Sequence, residues 1–272
     1  MYSLSNRDMR GQQAALDLLV KTAAAGPWSV AEYAFLHFNF EADPMQRQVL
    51  TTKAKRLMLC CTRQWGKSST AAALAAHRAL TRPDSLVLCV SPTLRQTGEF
   101  IRKVREFLQT AGQAQTGGRL AIELKNKSRI VGLPGQEANV SGFSSPSLLV
   151  IDEAARVSDL LYQALRPMLA VGDGDLALLS TPYGERGFFW REWAEGGEDW
   201  TRFSVSATDC PRIPAAFLDE ERRKQGAEWF AQEYLCSFVG MENRAFRTEW
   251  LEAARAQGLN YKALDFKFKA AL

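Results

Sequence analysis

The stretch Leu57-Met-Leu-Cys-Cys-Thr-Arg-Gln-Trp-Gly-Lys-Ser-Ser-Thr70 decides how the whole chain is read. Leu57 to Cys61 is an apolar run with the length of a buried strand. Gly66-Lys67-Ser68 follows as a tight basic turn, and Thr70 to Leu80 is alanine-rich with high helix propensity. Strand, loop, Gly-Lys-Ser and helix make the setting in which a phosphate-binding loop works. Backbone N–H groups at the helix start would face the anion, Lys67 would reach the terminal phosphates, and the Ser68 hydroxyl would hold magnesium. The general pattern also has a glycine five residues before Gly66, where this chain has Cys61. An ordinary strand-to-helix turn can carry the same residues, so the decision passes to other segments.

The next is Leu148-Leu-Val-Ile-Asp-Glu-Ala154. Four apolar residues followed by two acids describe a central strand whose C-terminal end opens into a site. Asp152 is placed to order the water shell of magnesium, and Glu153 to orient or deprotonate an attacking water. A surface acid pair would not call for a Gly-Lys-Ser loop as well; together the two point to an ATPase or GTPase. A third run, Leu176-Ala-Leu-Leu-Ser-Thr-Pro182, ends in Ser180 and Thr181. Those hydroxyls can bond the γ-phosphate or a water beside it and sense its loss, or they can simply close a strand-end turn. Upstream, Asp43 reads as the N-cap and Pro44 as the first turn of a helix in which Met45, Val49 and Leu50 face inward. Gln46 lies near its start. The amide offers one donor and one acceptor to an adenine edge, or is a solvated glutamine.

The 272 residues allow one large domain or two small ones at ~150 residues each. A net charge of +4, from 34 basic and 30 acidic residues, neither demands nor opposes a nucleic-acid partner. The five cysteines show no CxxC spacing, and three lie in apolar runs, which favours buried reduced thiols. His37 and His77 are the only histidines, too few for a zinc site, and read as packing or surface residues. Arg7, Asp8 and Arg10 are unlike a secretory leader, and no apolar run approaches the ~20 residues that span a bilayer. The expectation is a soluble protein of the cytoplasm.

Apolar runs alternating with helical patterns predict an α/β fold with a mainly parallel central sheet flanked by helices. Residues 12–38 read as helical with a break at Gly26-Pro27. Ser85–Val90 reads as a strand, and Leu94, Ile101, Val104 and Leu108 as the inner face of a returning helix. Leu120–Leu124 and Arg129–Leu133 around Lys125-Asn-Lys-Ser128 suggest a hairpin, and Trp200–Val205 a last strand. Phe188 to Trp193 look like core aromatics. Pro214–Lys224 and Ala227–Phe238 read as helices of a small lid, and the basic-aromatic tail from Arg247 has no assignable part. The expected division is an N-terminal helical segment at 1–37, an ATPase core at 38–208 and a helical lid or linker at 209–272.

Four segments in the right order resemble the large subunit of the terminase of tailed bacteriophages, specifically its N-terminal ATPase domain. They are DPMQRQVL around Gln46, the loop TRQWGKS, LLVIDEAARV and LLSTPYGERGFF. GLPG, SGFSSPSLLV and LYQALRPMLA also look like that family, and the resemblance covers roughly residues 38–246. Arg63-Gln64 inside the lysine loop is characteristic of terminases and explains the missing first glycine. The resemblance implies a P-loop NTPase of the ASCE type (additional strand, catalytic glutamate). In it Gln46 would contact adenine, and the loop residues Thr62, Arg63, Gln64, Trp65, Gly66, Lys67, Ser68 and Ser69 would wrap the triphosphate of ATP. Ser68 and Asp152 would place magnesium (Mg2+), Glu153 would activate water, and Ser180 with Thr181 would couple hydrolysis to DNA movement. The family works as a ring of subunits on the portal of a capsid, pumping double-stranded DNA inward in the host bacterial cytoplasm with the small terminase subunit as partner. Such a chain is expected to be monomeric alone.

Two departures matter. The family usually has arginine directly before the glycine of the loop preceding the acid strand, a finger toward the neighbouring subunit's nucleotide; here Ser141 precedes Gly142. Such a finger is worth ~10³–10⁵ in rate. Slow hydrolysis is expected unless Arg63 serves in cis or Arg129 or Arg156 serves in trans. The family also continues into an RNase H-like nuclease, whereas Asp265 is the only acid in the last 20 residues here, so no DNA cleavage is expected. Arg102, Lys103, Arg105, Lys125 and Lys127 are candidate DNA-phosphate contacts, though solvated helix faces and hairpin tips look the same. Two other readings stay open: a helicase-like translocase, which lacks a second motor half, and a degenerate prophage remnant that binds nucleotide with little turnover.

Overall fold

Each long apolar run forms a strand because helices cover both faces of the sheet, leaving no face that tolerates polar side chains. The computed structural model describes residues 28–135, 142–210 and 212–240. In chain order come helices α1 (Val30–Phe38) and α2 (Pro44–Thr51), strand β1 (Arg56–Cys61) and helix α3 (Lys67–Thr81). Strand β2 (Leu86–Ser91) and helix α4 (Leu94–Thr110) follow, then β3 (Gln115–Thr116), β4 (Ala121–Leu124), β5 (Arg129–Pro134) and β6 (Leu148–Asp152). The last part holds α5 (Asp159–Leu165), α6 (Leu169–Gly172), β7 (Asp175–Ser180), α7 (Gly187–Glu195), β8 (Thr201–Val205), α8 (Ala215–Gln225) and α9 (Ala227–Leu235). The described chain up to Val239 belongs to one compact unit. The expected helix before Trp28, Ser141 and the tail from Arg247 lie outside the described residues.

One eight-stranded sheet runs in the order β3-β4-β5-β2-β6-β7-β1-β8. From β5 to β8 every neighbouring pair is parallel, while β3 and β4 add an antiparallel margin. Strand β7 lies between β1, which feeds the lysine loop, and β6, which delivers the acids. This is the additional strand that the ASCE arrangement requires.

The period-two alternation of strands sorts the core into two layers. Leu57, Leu59, Cys61, Cys89, Val150 and Leu179 pack under α1 to α4, and Met58, Cys60, Leu88, Val90, Ile151 and Leu178 pack against α5 to α7. Helix α4 is set close to the sheet by Gly132, where a Cβ would stand 2.5 Å from the Thr97 methyl. Phe188 and Phe189 are core residues, as expected. All five cysteines are free and buried. His37 and His77 pack against Tyr33, with ring centroids 4.3 Å and 4.9 Å away.

The hairpin β4–β5 and the last strand β8 stand where the sequence put them. Two details differ. Leu94, expected inside, is 49% exposed, because it is the first residue after the N-cap Thr93 and stands above the end of the sheet. Strand β3 falls within the turn-rich stretch Gly112 to Gly118, where the sequence offers no strand signal, since two residues carry no alternation to read. No helix among the described residues is long and apolar enough to cross a membrane.

Candidate active site

Parallel pairing aligns the C-terminal ends of β1, β7 and β6, so the lysine loop, Ser180-Thr181 and the acid pair share one edge of the sheet. Gly66 opens α3 at φ 99°, a left-handed conformation that suits glycine. A Cβ there would also meet Gln46 Nε2 at 2.8 Å. Gln46 sits on α2 in a capping box: its N–H donates to Asp43 Oδ1 (2.8 Å), and its Oε1 accepts from the Asp43 N–H (3.0 Å). Its Nε2 donates to the Trp65 carbonyl at 3.0 Å. The side chain is therefore buried rather than solvated, and its acceptor is committed to Asp43. Of the donor and acceptor expected for adenine, one amide N–H is left.

The loop is braced at both ends. Arg212 donates from Nη2 to the Trp65 carbonyl and pairs with Asp43 Oδ2 at 3.0 Å. The Trp65 indole is part of the core. At the other end the Thr62 N–H donates to the Val205 carbonyl (2.9 Å) and its hydroxyl to the Glu233 carbonyl (3.2 Å). Both Thr62 donors are spent on the protein, so its part is to hold the loop rather than to bind phosphate directly. Arg63, expected toward the γ-phosphate, instead turns its Nε onto Glu233 Oε2 at 2.7 Å.

Asp152 ends β6 and accepts the Ser68 hydroxyl at 2.8 Å. Burial, then the neighbouring Glu153 carboxylate, push the Asp152 carboxyl above its ordinary range, against Lys67, the Ser68 hydrogen bond and Lys103. Glu153 takes a left-handed backbone (φ 53°, ψ 43°), a conformation that costs on the order of 1–3 kcal/mol outside glycine. It turns the chain off the strand, and the Glu153 side chain meets Lys67 Nζ at 3.3 Å through Oε1. Arg156, on the following turn, reaches Glu153 Oε2 (3.0 Å), Thr181 Oγ1 (3.2 Å) and Glu233 Oε1 (3.3 Å). Ser180 Oγ accepts the Ala155 N–H at 3.2 Å. The hydroxyls of Ser180, at the end of β7, and of Thr181, just after it, are thus bonded to the turn that carries Glu153.

A cavity of about 390 Å³ opens along the loop, lined by Gln64 to Ser69 on one wall, with Phe40, Glu41, Gln46, Lys103 and Arg212 around it. Ser68 and Asp152 offer oxygen ligands only. Among the described residues no cluster of three His, Cys, Asp or Glu exists that would cage a metal by itself. A hard cation completed by water and substrate phosphate fits that donor set.

Arg156 lies beside Glu153 in the same chain, at 3.0 Å. Arg129 starts β5, at the end of the sheet away from the loop. Arg102 pairs with Glu99 and Glu106, and Arg105 donates to the carbonyls of Gly118 and Ala121, tying α4 to the margin of the sheet. Glu233 and Arg212 were not singled out in the sequence. For Glu233 one signal existed: an acid three residues after Phe230 falls on the buried face of α9.

Residues 58–253 match the family described as terminase large subunit, T4likevirus-type, N-terminal. The terminase large subunits of Thermus phage G20c and Escherichia phage T5 are each 28% identical, covering 76% and 70% of this chain and 51% and 45% of their own. The chain spans about half the length of these relatives. Among solved structures, the large terminase ATPase domain of Thermus phage P74-26 superposes with a TM-score of 0.70 at 22% identity, covering 78% of this chain and all of that one (100%). The large terminase of a thermophilic bacteriophage, solved in complex with ADP, gives 0.60 at 13% identity, over 78% of this chain and 54% of its own. The matched family region takes in the strand before the lysine loop, both acids and Glu233, and the chain belongs to the terminase large subunits, T4-like type, in their N-terminal region.

Proposed function

We propose that the chain is an ATP-hydrolysing motor domain that drives double-stranded DNA into a capsid. The observation that carries this reading is the pairing of loop and acids: Ser68 on Asp152 at 2.8 Å and Lys67 on Glu153 at 3.3 Å. ATP is the substrate, its phosphates at the start of α3. Ser68 and Asp152 would hold magnesium, which when bound neutralises oxygens of the β- and γ-phosphates. Lys67 exchanges Glu153 for the phosphates, and the freed carboxylate orients a water against the γ-phosphorus. The water oxygen bonds to phosphorus as the bridging bond to the β-phosphate breaks, and the water's proton passes to Glu153, giving ADP and inorganic phosphate. Such transfer depends on positioning and electrostatics rather than covalent chemistry.

Arg156 holds the second Glu153 oxygen and is, with Arg63, a cis source of positive charge where Ser141 stands in place of an arginine. The bond from Arg156 to Thr181 supports a coupling role for Ser180 and Thr181. The partners that follow are DNA, the portal, the small terminase subunit and further copies of the chain in a ring, in the host cytoplasm. Magnesium-dependent phosphate release, measured with and without double-stranded DNA, tests the proposal. Release lost in Lys67→Ala is the expected result; equal traces in both proteins would leave only a nucleotide-binding remnant.

A further inference from the structure

Three cations line the cavity beside the lysine loop, and two are already committed. Lys67 pairs with Glu153, and Arg212 with Asp43 and the Trp65 carbonyl. Lys103 has neither a hydrogen bond nor an ion pair among the described residues. It is half-buried on α4, between the inward Ile101 and Val104. An ammonium has three donors and no acceptor, so a half-buried, unpartnered one facing a polar cavity selects an anion. Its charge also acts on Asp152, which puts it in electrostatic range of the loop's far end.

From this place in a lining shared with Ser68 and Ser69 we infer that Lys103 binds the α- and β-phosphates of the nucleotide. The inference rests on the proposed nucleotide reading of the cavity. Lys67 serves the terminal phosphates, and Lys103 adds positive charge toward the ribose end of the triphosphate. Lys103 thereby leaves the set of candidate DNA contacts. The affinity it supplies is shared by ADP and ATP.

Titration calorimetry of magnesium-ADP and magnesium-ATP into the full chain tests this in wild type, Lys103→Gln, Lys103→Arg and Lys67→Ala. Lys103→Gln is expected to weaken ADP and ATP alike by roughly ten-fold or more, in line with the loss of a charge-assisted hydrogen bond. Lys103→Arg recovers most of that affinity. Unchanged binding by Lys103→Gln, or a loss confined to ATP, overturns the inference. A readout without substitution is amine acetylation followed by peptide mass spectrometry. Saturating ADP should protect Lys103 and leave the surface residue Lys53 unprotected, and equal labelling of Lys103 with and without ADP overturns the inference. If wild type binds neither nucleotide, the nucleotide reading itself falls. If wild type binds, Lys67→Ala does not and Lys103→Gln matches wild type, only the role of Lys103 falls.

Discussion

Lys67 Nζ stands 3.3 Å from Glu153 Oε1, so the residue expected to neutralise phosphate and the residue expected to activate water restrain one another. Both side chains are largely shielded from solvent, at 8% and 21% exposure, so their attraction is only weakly screened. An arriving phosphate competes for the ammonium and frees the carboxylate in the same event. Lys67→Met should weaken ATP binding by roughly 10- to 100-fold, the range for a lost charged hydrogen bond. Calorimetry checks it, and wild-type affinity in the mutant would refute this part for Lys67.

Glu233 is only 3% exposed, yet it carries a charge shared between Arg63 and Arg156. Its loss leaves Arg63, which is 60% exposed, to water, and Arg156 still paired with Glu153. Glu233→Ala should therefore cost about 1 kcal/mol in urea unfolding, for the two ion-paired hydrogen bonds lost. Turnover should fall as well, because Arg156 loses an anchor and with it its hold on Glu153. Unchanged stability and turnover would show that the cluster is incidental.

The Trp65 carbonyl accepts from both Gln46 and Arg212. Gln46→Ala removes that donor, the reciprocal half of the capping box and the filling beside Gly66. A loss of roughly 1–3 kcal/mol in stability follows from the unsatisfied partners. Nucleotide affinity should drop with it, since the loop loses its brace. A mutant as stable as wild type would mean that Gln46 serves the ligand alone.

His77 packs half-buried against Tyr33, and desolvation, with nearby Arg78, lowers its pKa to about 4. The folded value lies below the unfolded one, so the neutral ring's stability contribution is fully present above pH ~6.5 and is lost as pH falls toward 4. The loss from this group reaches up to roughly 3 kcal/mol. Chemical denaturation at pH 7.5 and 4.5 should show a smaller pH-linked drop for His77→Gln than for wild type. Equal drops would mean that the ring is not held neutral by burial.

Much of the fold was legible because buried parallel strands are written as uninterrupted apolar runs: Leu57–Cys61, Leu148–Ile151 and Leu176–Leu179 could hardly be anything else. The lysine loop and acids were legible because their chemistry is local in sequence. The side chains that fix the site were not. Arg63 and Glu233 are 170 residues apart, and no periodicity announces such a pairing. Gln46 read as an adenine contact or a solvated glutamine, because a capping box reads the same whether it is exposed or, as here, folded over a loop. Lys103 looked like any cation on an amphipathic helix until the packing of α4 set it against the cavity.

The most direct test separates binding from chemistry at Glu153. Wild type and Glu153→Gln should bind magnesium-ATP with affinities within a few-fold of each other, because the amide keeps the shape of the site. Steady-state phosphate release by Glu153→Gln should fall at least ~100-fold, the contribution of a positioned general base. Phosphate release by Glu153→Gln at the wild-type rate would contradict the assignment of Glu153 and the motor reading built on it.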